Sequence, residues 1–296
     1  MNYKRPIVYL LSAMVAFGIS SCGSSGSDKD KNAEEFEEAE ESLKNQLDEI
    51  VYNIPNPTEI PYMIQATGAE YNESLINPKS KADTYASRTD KAALNLGVYT
   101  ADIGYLTSYD KSQEALDYLN ACKTLADNIG VIGTFDLEVL KRFETNISNR
   151  DSLGALMNET IDQTEKFLKD DSRNKLAALV VSGSFVEGLY LATGLINSYP
   201  KDLLPDDARN LILTPVIQVV LNQKNSVSDL LKMLTSVEQT DPVTGLVLDL
   251  QELESAYAEL NIEEQIKNNN ANLALSDKNL VKITEVVQKM RKLITD

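Results

Sequence analysis

From Leu176 to Tyr199 the chain runs LAALVVSGSFVEGLYLATGLINSY, 24 residues with one charged side chain, Glu187. A helix that is apolar on every side belongs in the hydrocarbon of a membrane or at the centre of a bundle. Ser182, Gly183, Ser184, Gly188 and Gly194 interrupt the run and argue against lipid contact, so the stretch 176–199 is expected to be a central core helix. Such a helix folds only if the rest of the chain supplies amphipathic partners around it.

The partners are legible as apolar stripes at helical spacing. Phe36, Leu43, Leu47 and Ile50 mark a first helix from Glu34, which must stop near Asn53 because Pro55, Pro57 and Pro61 follow. A short helix is expected from Pro57 to Ala66, closed by Gly68, and a longer one from Asp90 to Thr107. Asp110 with Gln113 has the spacing of a capping box for a helix that carries the stripe Ala115, Tyr118, Leu119, Cys122, Leu125 and ends at Gly130. Further helices are expected from Thr134 or Asp136 to about Ser148 and from Asp151 to about Lys169. Two more follow the stripes Leu246, Leu250, Leu253, Tyr257 and Leu280, Ile283, Val287, Met290, Ile294. No segment alternates with period two between hairpin turns. The expectation is an all-α bundle of about ten helices, with no sheet.

Ahead of the bundle stands a different kind of segment. Lys4 and Arg5 precede a short apolar run, Ile7 to Ile19, and small residues lead to Cys22. The run is shorter than the roughly 20 residues that a membrane span needs, so residues 1–21 read as a cleaved export signal. The tetrad Ile19-Ser20-Ser21-Cys22 resembles the lipobox of bacterial lipoproteins, which implies acylation of Cys22. Residues 22–32 (CGSSGSDKDKN) hold nothing apolar beyond Cys22 and are expected to be a flexible tether, leaving 33–296 as a single helical domain.

Charge and composition narrow the chemistry. There is no His, which removes the Ser-His-Asp and Cys-His nucleophile systems and His-ligated metals. The net charge of −17 becomes −19 when Lys4 and Arg5 leave with the signal, and such a surface repels nucleic acid and anionic headgroups. The membrane is thus to be reached through the lipid on Cys22. With Cys22 acylated, Cys122 has no disulfide partner, and its place on an apolar stripe marks it as an inert core residue. The glutamates of 34–41 are expected to be a solvated face, partly neutralised by Lys278, Lys282, Lys289, Arg291 and Lys292 of the last helix. No metal and no cofactor is indicated.

Two carboxylates fall inside otherwise apolar helices. Asp102 shares a face with Leu94, Asn95, Val98 and Tyr105; Glu187 shares one with Gly183, Ser184 and Tyr190. A carboxyl among apolar neighbours must be paired, hydrogen-bonded or neutral. Either the two face one interior pocket with Tyr105 and Tyr190, binding a ligand or sharing a proton, or each is bonded across the bundle. Gly97, Gly104, Gly183, Gly188 and Gly194 lie within the same helices, where each costs roughly 1 kcal/mol relative to Ala. Close approach by another helix or by a ligand is the expected reason.

Together, Leu94-Asn-Leu-Gly-Val-Tyr-Thr-Ala-Asp-Ile-Gly-Tyr-Leu106 and Ser182-Gly-Ser-Phe-Val-Glu-Gly-Leu-Tyr190, behind a lipoprotein signal, resemble an uncharacterised group of all-helical lipoproteins of the Bacteroidota. The resemblance implies a helical bundle anchored in the cell envelope, at the outer membrane, with the periplasmic or surface face undecided. It brings no catalytic or binding residues with it. The functional expectation is a non-catalytic module that binds a protein partner or small ligand. The alternative is a hydrolase acting on a glycan, with Asp102 and Glu187 about 5 to 10 Å apart along an open cleft.

Overall fold

The computed structural model describes residues 54–131, 137–146, 149, 152, 155–156, 159, 163, 173–199, 205–268 and 270–296. Every described residue lies within one compact unit, Lys44–Asp296. The signal at 1–21, Cys22, the tether at 22–32, the helix from Glu34 and most of the helix from Asp151 fall outside the described residues.

The described residues form α-helices and short 3-10 turns, with no strand among them. In chain order the helices are α1 (Glu59–Ala66), α2 (Ala82–Tyr85), α3 (Thr89–Ser108), α4 (Ser112–Asn128), α5 (Leu137–Thr145) and α6 (Asn174–Ser198). They continue as α7 (Asp206–Leu221), α8 (Lys224–Thr235), α9 (Asp241–Glu259), α10 (Glu263–Lys267), α11 (Ala271–Leu275) and α12 (Lys278–Thr295). The architecture is an all-α bundle.

By length and composition α6 could cross a membrane, yet 83% of its most apolar window is buried inside the protein. It is apolar all round because α1, α3, α7, α8 and α12 each cover part of it. The sequence marks α6 as the centre, and α3 proves to be a second one: every residue from Ala92 to Ser108 is buried. Its hydroxyls are accommodated locally. Thr100 and Thr107 donate to the carbonyls of Leu96 and Ile103 at 2.7 and 2.8 Å, so a polar residue is no obstacle to burial there.

The two central helices touch backbone to backbone. A Cβ on Gly97 would collide with the Val180 carbonyl oxygen and lie 2.7 Å from the Ser184 nitrogen; a Cβ on Gly183 would collide with the Leu94 carbonyl. Gly104 and Gly188 make room for Thr58 and Ile60, and Gly194 for Leu75. Close approach by the protein itself accounts for all five glycines.

Helix ends follow two rules, one of them against expectation. Gly68 and Gly130, with φ of 82° and 80°, close α1 and α4 in the left-handed conformation. Asp110 does the same for α3, with φ of 60° and the Lys111 N–H donating to the Leu106 carbonyl at 2.8 Å. The capping box expected of Asp110 and Gln113 is therefore not formed: a left-handed residue closing one helix is not in the extended conformation that caps the next. The residue before α4 is Lys111, without a side-chain cap.

The glutamates of 34–41 lie outside the described residues, and three cations of α12 have partners among the described ones. Lys289 pairs with Asp249 at 2.6 Å, Lys282 with Glu252, and Arg291 with Glu187 at 3.1 Å. Three of the five positive charges assigned to neutralising the acidic first helix are thus engaged by α9 and α6.

Candidate functional site

Asp102 and Glu187 come together in one sealed cluster, reached from α3 and α6 and completed by α12. Both side chains have zero exposure, as do Asn77 and Asn95 beside them. From α12, Arg291 donates through Nε to Glu187 Oε2 at 3.1 Å and through Nη2 to Oε1 at 3.3 Å, a two-pronged pairing. Nη2 also reaches the Leu75 carbonyl at 3.5 Å. The guanidinium carbon lies 4.4 Å from the centre of the Tyr190 ring, so Tyr190 supports the cation rather than either carboxylate.

The loop between the 3-10 turns Glu73–Leu75 and Lys79–Lys81 supplies the second support. Asn77 N–H donates to Asp102 Oδ2 at 3.1 Å, while its carbonyl accepts from Tyr118 at 2.8 Å. Its side-chain amide donates to Tyr85 at 3.2 Å, and the Tyr85 hydroxyl donates to the Thr295 carbonyl at 2.9 Å. Asn95 Nδ2 donates to the Ile294 carbonyl at 3.0 Å, and Lys91 Nζ to those of Leu293 and Ile294 at 2.9 and 3.2 Å. The last carbonyls of α12, left without intrahelical donors, are collected by α2 and α3. A lysine at that end also suits the negative pole of the helix.

One atom locates a proton. Asp102 Oδ1 is buried without a hydrogen-bond donor, and the carboxyl of Glu187 is its neighbour. Two ionised carboxylates facing each other in a sealed core repel; a proton on Asp102 turns the orphaned oxygen into a donor to Glu187. The energetics agree. Burial, and then the charge of Glu187, holds the Asp102 carboxyl well above its ordinary range, against the opposing Asn77 N–H and Arg291. Burial also raises Glu187, but the charge and bonds of Arg291 and the bond from Asp102 act to keep it ionised. The cluster is then an acid, a carboxylate and a guanidinium with no net charge.

Of the residues singled out in the sequence, Asp102, Glu187 and Tyr190 meet through Arg291. Tyr105 is bonded elsewhere: its hydroxyl accepts from the Asn72 N–H at 2.9 Å, and its ring packs 5.3 and 5.0 Å from those of Tyr71 and Tyr109. Asn95 joins the cluster from the face it shares with Asp102, whereas Arg291, Asn77 and Tyr85 belong to it without having been foreseen. A signal for Arg291 was present, since it lies at i+4 from Val287 and i−3 from Ile294 on the apolar stripe of its helix. Asn77 sits in an irregular turn, where periodicity says nothing.

The cluster can store a proton and hold helices; it has no opening through which a substrate could reach either carboxyl. Burial pushes the Cys122 thiol far up, which suits an inert core residue. Among the described residues no group of His, Cys, Asp or Glu is placed to hold a metal ion. A surface cleft of about 280 Å³ lies between α7, α9 and α10 over Leu221, Tyr257, Leu260 and Ile266, and shares no residue with the cluster. Scanned against protein-family models, curated proteins and solved structures, the chain finds no match.

Proposed function

We propose that this chain is a lipid-anchored protein of the bacterial cell envelope that works as a binding or interaction module rather than as a catalyst. The observation that carries the second half is the sealing of Asp102 and Glu187. A glycan hydrolase needs its two carboxyls in contact with substrate and a water between them or beside them. Here both carboxyls are sealed from solvent as neighbours, and an arginine donates to one of them through two nitrogens. What is left for function is the exterior of the bundle, where the described surface keeps Leu211 and Leu248 more than three-fifths exposed.

The first half rests on the export signal and the lipobox ending at Cys22. With a net charge of −19 after cleavage, the lipid is the means of holding such a surface at a membrane. The outer membrane is the proposed location. Metabolic labelling with an alkyne-bearing fatty acid, followed by membrane fractionation, tests the anchor. The full-length chain is expected to take up label and sediment with membranes, and Cys22→Ser to lose both. Unlabelled, soluble wild-type protein would refute the reading. For the binding half, native mass spectrometry of the gently extracted lipoprotein is expected to show stoichiometric added mass, from a small molecule or a protein subunit; a bare monomer would count against it.

A further inference from the structure

We propose that the Asp102–Glu187–Arg291 cluster is a proton-held latch, which fastens α12 onto the α3–α6 core while the two carboxyls share one proton and releases it when that proton is lost. Beyond its buried apolar stripe, α12 has two kinds of polar attachment. Toward α9 it has Lys282, in an exposed pair with Glu252 that contributes little, and Lys289, whose exposed ammonium pairs with the buried Asp249. Toward the core it has Arg291 and the terminal carbonyls held by Lys91, Asn95 and Tyr85. Arg291 is the one charged side chain of α12 that reaches the sealed carboxyls.

One guanidinium balances one carboxylate. With the proton in place the cluster is neutral, and each buried oxygen except the protonated Oδ1 accepts a bond. Without it, two negative charges share one arginine at zero exposure, and Oδ1 becomes an uncompensated anion. The low-dielectric surroundings make that state costly, and the shortest relief is for α12 to move out and admit water. The loop carrying Asn77 and the hydroxyl of Tyr85 connect the same carboxyls to the last carbonyl of α12, so the two attachments are tied together.

The groups facing the cluster come from α2, α3, α4, α6 and the end of α12. From α3 comes Tyr99, from α4 Tyr118 and Cys122, and from α2 Tyr85; burial moves all four upward and keeps them neutral. From α6 comes Tyr190, against the guanidinium. At the far end of α12, Lys81 and Asp296 pair at the surface and Lys91 caps the carbonyls. Burial holds the Lys91 ammonium below its ordinary value, but loss of that charge would persist in Asp102→Asn, whereas loss of the carboxyl proton would not.

Amide hydrogen exchange of the full chain, read by mass spectrometry at about pH 6 and about pH 9 and corrected for base catalysis, tests the latch. Peptides from α12 are expected to lose about tenfold or more of their protection relative to α4, which does not rest on the cluster's arginine. In Asp102→Asn, whose amide donates to Glu187 and still accepts from Asn77 but cannot ionise, the loss should vanish. Equal loss in α12 and α4 of the wild type, or the same loss in Asp102→Asn, would overturn the proposal. A measurement free of variants is infrared spectroscopy of the wild type: the carbonyl stretch of a protonated carboxyl should persist at neutral pH and fade as α12 opens. Its absence at neutral pH would equally overturn the latch.

Discussion

Glycine positions in α3 and α6 are not equivalent, and the difference is measurable. At Gly97 and Gly183 an added methyl meets a backbone carbonyl of the opposite helix, which can yield only by parting the two helices. Overpacking of that kind costs about 3 kcal/mol or more, several times the gain of roughly 1 kcal/mol from replacing a mid-helix glycine by alanine. At Gly188 the methyl would lie 3.0 Å from Cδ1 and 3.2 Å from Cβ of Ile60, side-chain atoms that need give by only a few tenths of an ångström. Denaturant titration should therefore find Gly97→Ala and Gly183→Ala severely destabilised and Gly188→Ala within about 1 kcal/mol of the wild type. Equal costs at the three sites would mean that the helices are not in backbone contact. Asp110 offers an opposite case. It holds a left-handed conformation on the surface, where glycine meets no Cβ penalty. Asp110→Gly is expected to stabilise the fold by about 0.5 kcal/mol. Loss of stability would reinstate Asp110 as the cap of α4.

At the scale of elements, α12 depends on groups that lie outside it. Its terminal carbonyls accept from Lys81, Lys91, Asn95 and Tyr85. Tyr85→Phe keeps the ring in the core and deletes the hydroxyl, leaving the Thr295 carbonyl with Lys81 at 3.1 Å and the buried Asn77 amide with the longer bond to Asn95 at 3.5 Å. A cost of about 1 to 3 kcal/mol follows, with α12 amides losing protection ahead of those in α4. Uniform loss across the bundle would contradict this. Most elements were legible because their stripes or punctuation were strong. The stretch 176–199 became Asn174–Ser198, Asp90 to Thr107 became Thr89–Ser108, and Gly68 and Gly130 fell where α1 and α4 end. No stripe announced α7 or α8. Pro215 stands inside α7, and the polar run Asn222-Gln-Lys-Asn225 obscures the junction. The burial of α3 from Ala92 to Ser108 was hidden as well, since its threonines and Asn95 break the apolar pattern while bonding within or beside the helix. For the cluster, periodicity gave the face of each carboxyl but not what faces it. Arg291 lies 104 residues beyond Glu187, and a pairing over that distance leaves no local trace.

For the whole molecule, acid and base act on different carboxyls, and their balance sets where the fold is most stable. Asp102 is held protonated, with its folded pKa raised above the unfolded value of about 3.9. Below about pH 4 both states carry that proton, so no penalty arises. As pH rises past that point the unfolded chain releases the proton and the folded chain retains it, so stability falls by about 1.4 kcal/mol per pH unit until the folded group titrates. The surface carboxyls behave oppositely. The bond from Lys282 lowers Glu252, and the bond from Arg142 lowers Glu159, so their contribution is present above their unfolded values and lost as pH falls through the folded ones. Exposed pairs of this sort are weak, and the excess of 45 acidic over 28 basic residues adds self-repulsion as the carboxylates ionise. The buried term and the net charge therefore act together against the surface pairs on the alkaline side. Urea midpoints measured from about pH 4 to about pH 9 should peak on the acid side of neutrality, near pH 5, and decline above it. In Asp102→Asn the decline should flatten to the part owed to net charge, and the variant should exceed the wild type in stability at pH 7. A wild-type maximum at or above neutrality, or a variant that is weaker at pH 7, would show that Asp102 is ionised in the folded core.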